Sequence, residues 1–246
     1  MTGFKAKIAA ILALCGLVLG GCATTPPTPE MIANNDPHEP ANRDVFAFNM
    51  MMDRTFVTPT VTMYRQTVPE GGRQAFHNFL VNLTLPSTFV GDVLQGEVKR
   101  GGQTAGRFLV NSTIGLGGFF DPATTRLGMP NHGEDYGQTF AVWGAEEGPY
   151  VMLPFFGPSN PRDTAGLVVG TALDPTNFIR IKQHIYWMMA RQYFTLLDVR
   201  SQTFDTLQGI QRNSLDYYAS LRGLYRQVRN NEIRNGRQEK AELPDF

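Results

Sequence analysis

Cysteine is almost missing from this 246-residue chain: there are two, Cys15 and Cys22, both at its N-terminal end. Beyond them no disulfide framework, thiolate metal site or cysteine nucleophile can form. Long hydrophobic runs are missing as well. No stretch after Cys22 reaches 18 uninterrupted apolar residues, which excludes a conventional transmembrane helix there. Charge of one sign is not in excess, with 22 Lys+Arg against 22 Asp+Glu. Setting aside Lys5 and Lys7 leaves 20 basic against 22 acidic residues, a balance of −2 that offers no basis for binding nucleic acid. Catalytic signatures are absent too. There is no G-x-S-x-G elbow and no dinucleotide fingerprint, and the glycine-rich turn at 115–118 lacks the Lys-Ser/Thr of a phosphate loop. The histidines at 38, 77, 132 and 184 do not show the paired spacing of a zinc site. The adjacent acids Glu134–Asp135 and Glu146–Glu147 point in different directions on a helix and are expected to be solvated. Neither a metal nor a cofactor is expected.

What is present begins at the N-terminus. Lys5 and Lys7 precede an apolar run from Ile8 to Leu19, which has the length of a signal-peptide core. The run ends in Leu19-Gly20-Gly21-Cys22, which resembles a bacterial lipobox. Residues 1–21 are therefore expected to be a lipoprotein signal peptide and Cys22 the lipidated residue. Two acyl chains anchor stably, because each buried CH₂ contributes about 0.8 kcal/mol. By analogy with bacterial lipoprotein sorting, Ala23 after the cysteine is expected to direct the chain to the outer membrane.

Residues 22–35 are polar and proline-bearing, and are expected to be a flexible tether. Residues 36–230 are expected to be a single, mainly helical domain, and 231–246 a polar, disordered tail. Apolar residues recur at three- and four-residue steps over 42–57, 70–83 and 89–114, with Pro86 placed at a helix start. A last pair of helices is expected over 184–207 and 211–230. Taken alone, this periodicity favours helices packed against one another over helices facing lipid. Gly102-x-x-x-Gly106 and Gly166-x-x-x-Gly170 match the small-residue pattern of close helix approach, although a kink near residue 101 is equally compatible. Residues 148–161 (GPYVMLPFFGPSNP) are uncharged and carry four prolines, so an extended aromatic loop or short strand is expected.

Several fragments in order complete the reading. They are Asp36-Pro37-x-Glu39, Asn42-Arg43-x-x-Phe46-x-Phe48-Asn49, Asn78-Phe79-x-x-Asn82-Leu83 and Arg107-Phe108-x-x-Asn111-Ser112. Then come Gly115-x-Gly117-Gly118-Phe119-x-Asp121, Asp135-x-Gly137-Gln138-Thr139 and Gly148-Pro149-Tyr150-Val151-x-Leu153-Pro154. Pro161-Arg162-Asp163, Asp174-Pro175 and Asp216-Tyr217-x-x-x-x-Leu221-Arg222-x-x-Tyr225 close the series. Over residues 36–230 the set resembles the MlaA/VacJ family of outer-membrane lipoproteins. Ala41, where the family usually has an aromatic, and His38, in place of an apolar residue, depart from its pattern.

The resemblance implies a ring-like bundle of amphipathic helices lying in the periplasmic leaflet of the outer membrane. It implies an amphipathic channel that passively removes phospholipids misplaced in the outer leaflet. The implied partners are a trimeric porin and a soluble periplasmic lipid carrier serving an ABC transporter. On this reading Trp143–Gly148, leading into Pro149, Tyr150 and Leu153, forms a glycine-flanked hairpin that gates the channel, with Gly144 and Gly148 supplying backbone freedom. Asn42, Phe46 and Phe48 are the second gating candidates. Two rival readings are a scaffolding lipoprotein of a porin complex that moves no lipid, and an envelope hydrolase.

Overall fold

The computed structural model describes residues 26–175 and 184–237. The expected signal peptide and Cys22 lie outside the described residues, as does the tail beyond residue 237. The chain is mainly helical, and no described helix is long and apolar enough to cross a membrane.

A short helix α1 (Pro29–Ala33), capped by the Thr28 hydroxyl accepting from Met31 N, occupies part of the segment expected to be a tether. Helix α2 (Glu39–Met52) passes through a π-helical turn (Asp53–Val57) into α3 (Thr58–Thr67). Helix α4 (Glu70–Leu94) runs through Pro86, which does not start a helix as expected. Proline removes one N–H from the ladder, but α4 is held on both sides of it. Before it, Asn82 donates to the Ser112 hydroxyl; after it, Asp92 accepts from Thr104 at 2.6 Å. The chain turns at Gly96, where φ is +77°, into α5 (Val98–Thr113), which packs back along α4. The break therefore falls before residue 101. Gly101 sits in ordinary contact with Phe89, Asp92 and Val93 of the partner helix.

Helices α6 (Pro122–Leu127) and α7 (Tyr136–Val142) follow, their N-termini capped by Asp121 and Asp135. A β-hairpin comes next: β1 (Val151–Leu153) pairs antiparallel with β2 (Gly157–Ser159), Leu153 opposite Gly157. Asn160 caps α8 (Pro161–Leu173), with proline in the first turn where its missing N–H costs nothing. The expected final pair is three helices: α9 (His184–Gln202), α10 (Phe204–Asn213) and α11 (Tyr217–Ile233). Helix α11 extends three residues into the segment expected to be tail.

Of the two small-residue motifs, one brings helices together. A Cβ on Gly166 of α8 would lie 2.3 Å from Gly137 N of α7, so these backbones touch. Gly102 has nothing within 4 Å, and Gly106 meets only Met129.

The distribution of polarity overturns the expectation of mutually packed apolar faces. Among the described residues nine hydrophobic residues are buried, whereas 34 large hydrophobics are exposed. Fifteen polar or charged residues are buried, including Asn82 and Asp92 of α4, and Thr104, Arg107 and Asn111 of α5. The apolar residues of the same two helices, Val93, Val98, Phe108 and Leu109 among them, look outward. So many large apolar side chains left outside, against so few inside, are unusual for a water-soluble monomer. The helices form a ring-like bundle with polar groups inside.

Candidate functional site

The interior is held by ion pairs and amide clamps that meet around the hairpin. Asp36 is fully buried and accepts from Asn42 Nδ2 (2.7 Å), the Tyr218 hydroxyl (2.6 Å) and Arg222 (2.6 Å). The same Asn42 amide completes the hairpin edge: Nδ2 donates to the Tyr150 carbonyl at 3.1 Å, and Oδ1 accepts from Met152 N at 2.9 Å. Seven residues on, and so on the same face of α2, Asn49 repeats the device. Its Nδ2 donates to the Leu153 carbonyl at 2.9 Å and its Oδ1 accepts from Phe155 N at 2.8 Å. Two side-chain amides thus serve as a surrogate strand along β1, meeting the requirement that buried backbone groups find partners.

The rings complete the seat. Tyr150 and Tyr218 pack edge to face at 6.0 Å, Phe46 lies 5.5 Å from Tyr218, and Phe48 meets Phe155 at 5.3 Å. Tyr150, Met152 and Tyr218 form the buried apolar cluster, with Val45, Phe46 and Tyr225 against it. Burial and the nearby Asp36 carboxylate push the Tyr150 phenol well above its ordinary range. At the hairpin tip Phe155 and Phe156 are exposed, and Phe155 holds φ at +65°, a conformation costly for a bulky residue.

The expected hairpin at Trp143–Gly148 is instead an open turn after α7, and the strands begin at Val151. The turn does need its glycines. Gly144 has φ +94° with open space around it, whereas Gly148 has φ +70° and also abuts Pro161. It is tied at three points: Trp143 Nε1 donates to the Leu94 carbonyl, Asn35 to the Gly148 carbonyl, and Arg226 to Glu147. Pro149 links this turn to the strand. Asn42, Phe46, Phe48, Tyr150 and Leu153 are therefore brought together, while Gly144 and Gly148 stand on the adjoining turn. Asn35 and Asn49 are further contacts of this segment, outside the candidates read from sequence. The seven-residue spacing of Asn42 and Asn49 was the available signal.

A second cluster joins α7, α8 and α11. Arg229 donates to both Asp135 oxygens (2.6 and 2.8 Å) and to Asp163 (2.8 Å), which also accepts from the Tyr225 hydroxyl. Burial raises both carboxyls, but Arg229 with its fellow donors outweighs it and holds each below the usual carboxylate range. Glu134, expected to be solvated, has a buried side chain and accepts from Arg100 (2.6 Å) and Gln95 (2.7 Å). Burial still lifts its pKa above the ordinary value. Asp92, His132 and Glu134 bring three ligand atoms within 4.8 Å of one another, but Arg100, Gln95 and Thr104 already engage the carboxylates. The group is an ion-pair cluster tying α4, α5 and the loop before α7.

The family model described as MlaA lipoprotein matches residues 34–232. The Escherichia coli protein named "Intermembrane phospholipid transport system lipoprotein MlaA" is 33% identical over 234 residues, covering 92% of this chain and 88% of its own. The Haemophilus influenzae protein of the same name is 27% identical, covering 98% and 97%. A structure solved under the description "Structural basis for maintenance of bacterial outer membrane lipid asymmetry" superposes with a TM-score of 0.70 at 30% identity, covering 80% of this chain and 98% of that one. The chain belongs to the MlaA lipoprotein family.

Proposed function

We propose that this protein, anchored through Cys22 in the periplasmic leaflet of the outer membrane, passively removes phospholipids misplaced in the outer leaflet. The lipid passes along an amphipathic path through the ring to a soluble periplasmic carrier of an ABC-transporter pathway, and a trimeric porin holds the ring in place. The observation that carries this reading is the inverted polarity, with 34 large hydrophobics outside and charged clamps inside among the described residues. An exterior of that kind suits acyl chains, and a polar interior suits a head group that must not cross hydrocarbon. Because its helices lie in the plane of one leaflet, the ring needs no 20-residue span.

The hairpin Val151–Ser159 with the preceding Gly144–Gly148 turn is the gate, and Asn42 and Asn49, with Phe48 on Phe155, are its latch. No covalent chemistry is required of it. The direct test is outer-leaflet phospholipid in a deletion strain, read with a membrane-impermeant amine-reactive label. A rise reversed by the intact gene is expected. No rise, with the protein present in the wild-type outer membrane, contradicts lipid removal and leaves a scaffold of a porin complex as the better reading.

A further inference from the structure

Most of the described arginines are spent on carboxylates or carbonyls of the interior; Arg54 is not. It lies in the π-helical turn beside Asp53, but both Asp53 oxygens are taken. Arg200 reaches them at 2.9 and 3.2 Å, and the Thr58 hydroxyl donates at 2.8 Å. Arg54 thus has no hydrogen-bond or ion-pair partner among the described residues. Its neighbour Thr55 is also unengaged there, whereas Thr60, Thr62 and Thr67 each return their hydroxyl to the carbonyl four residues back. These two donors line an open groove of about 440 Å³, whose other lining residues are Phe46, Ala47, Met50 and Met51.

The helix builds this arrangement. Phe46, Met50 and Arg54 form one four-residue row, and Ala47, Met51 and Thr55 the row beside it. The π turn inserts a residue and so rotates α3 by about 100° relative to α2. Val61 of α3 is buried, while Arg54 and Thr55, in the turn, line the same opening as Phe46, Ala47, Met50 and Met51 of α2. A guanidinium and a hydroxyl that make no hydrogen bond among the described residues, adjoining phenyl and thioether surface, match an amphiphile whose anionic group joins apolar chains. Guanidinium pairs bidentately with phosphate oxygens, and Met adapts to irregular apolar shapes.

We propose that Arg54 and Thr55 bind the phosphodiester of a phospholipid, with its glycerol and upper acyl segments on Phe46, Met50 and Met51. This rests on the lipid-transport reading above and deepens it by naming a head-group contact. Because the site asks only for phosphate, it takes zwitterionic and anionic phospholipids alike and rejects uncharged diacylglycerol.

The test titrates the purified chain, in a maltoside detergent, with dihexanoyl-phosphatidylglycerol, dihexanoylglycerol and inorganic phosphate, by calorimetry. Arg54 is exposed and has no hydrogen-bond or ion-pair partner among the described residues, so Arg54→Gln should melt at the wild-type temperature. Its affinity for the phospholipid should fall about ten-fold or more, given the strength of charge-assisted bonds. Dihexanoylglycerol should bind both proteins equally weakly. Arg54→Lys should lie between, as a point charge without the fork. Equal phospholipid affinity in wild type and Arg54→Gln overturns the assignment, as does inorganic phosphate binding as tightly as the lipid, which marks a small-anion site. Outer-leaflet labelling of an Arg54→Gln strain separates the two readings. Wild-type labelling there, with a rise in the deletion strain, defeats this contact alone; no rise in either defeats lipid removal as well.

Discussion

Replacing Asn49 by alanine should free the hairpin without unfolding the protein, whereas replacing Asn42 should do the reverse. Asn49 makes two hydrogen bonds to the hairpin at partly exposed positions, and water can take over when they are lost. At about 1 kcal/mol net for each bond, the loss is about 2 kcal/mol, or roughly 30-fold in the population of detached hairpin. The Asn42 amide is 5% exposed and serves Met152 N, the Tyr150 carbonyl and Asp36, so its removal strands buried groups. At about 1–3 kcal/mol for each stranded group, that site loses about 4 kcal/mol of global stability. For a domain of this size a loss of that kind corresponds to roughly 10 °C in melting temperature. Hydrogen–deuterium exchange by mass spectrometry, beside a thermal melt, reads both. Asn49→Ala should accelerate exchange roughly 30-fold over the hairpin tip, with a melting point lowered by a few degrees at most. Asn42→Ala should lower the melting point far more. Unchanged exchange at the tip in Asn49→Ala, or an unshifted melt in Asn42→Ala, would refute the two-amide latch.

Other perturbations follow from the same geometry. Gly166→Ala drives a methyl into the Gly137 backbone and should destabilise by about 3 kcal/mol or more. Gly102→Ala, in open space within a helix, should be neutral or stabilising by up to about 1 kcal/mol; thermal melts compare them. Gly144→Pro cannot hold φ at +94° and loses the N–H that reaches the Ala141 carbonyl. It should change outer-leaflet labelling strongly while the circular dichroism spectrum stays native, and unchanged labelling removes this turn from the gate. Arg229→Met leaves Asp135 and Asp163 without their shared cation and should cost about 3–5 kcal/mol. In the wild type both carboxyls are depressed on folding. Their contribution is present above the unfolded value near 3.8 and is lost as pH falls through the lower folded values. Denaturant melts should show that acid-dependent loss in the wild type and a shallower one in Arg229→Met.

Helical class and the extended uncharged segment were legible in sequence because proline and periodicity act locally. The side on which the apolar faces lie was not. A stripe such as Val93, Val98, Phe108 and Leu109 has the same period whether it meets protein or lipid. The opposite stripe is no clearer, since Asn82, Asp92, Thr104, Arg107 and Asn111 read as an ordinary solvated face, yet they are buried. The fragments that carry the family resemblance are largely these interior clamps: Asn42, Asn82, Arg107, Asn111, Asp121, Asp135, Asp163 and Arg222 all make interior hydrogen bonds. Gly144 and Gly148 point to a glycine-flanked hairpin over 143–148, but the hairpin begins only at Val151. Its actual tip uses Phe155 in a left-handed conformation, which no residue preference predicts. Pro86 misled because a proline at a helix start and one inside a helix held from both sides look alike in sequence.

The inside-out arrangement is tested most directly by depth. Single cysteines placed at Leu109, Val168 and Met189 on the apolar exterior, and at Glu146 and Thr206 on polar surface, can carry a nitrobenzoxadiazole label, because Cys15 and Cys22 are the two native cysteines. In proteoliposomes the first three labels should be quenched by lipids brominated along the acyl chain and shielded from aqueous iodide, with the last two behaving oppositely. Quenching of all five by iodide alone would contradict a ring whose apolar exterior faces lipid.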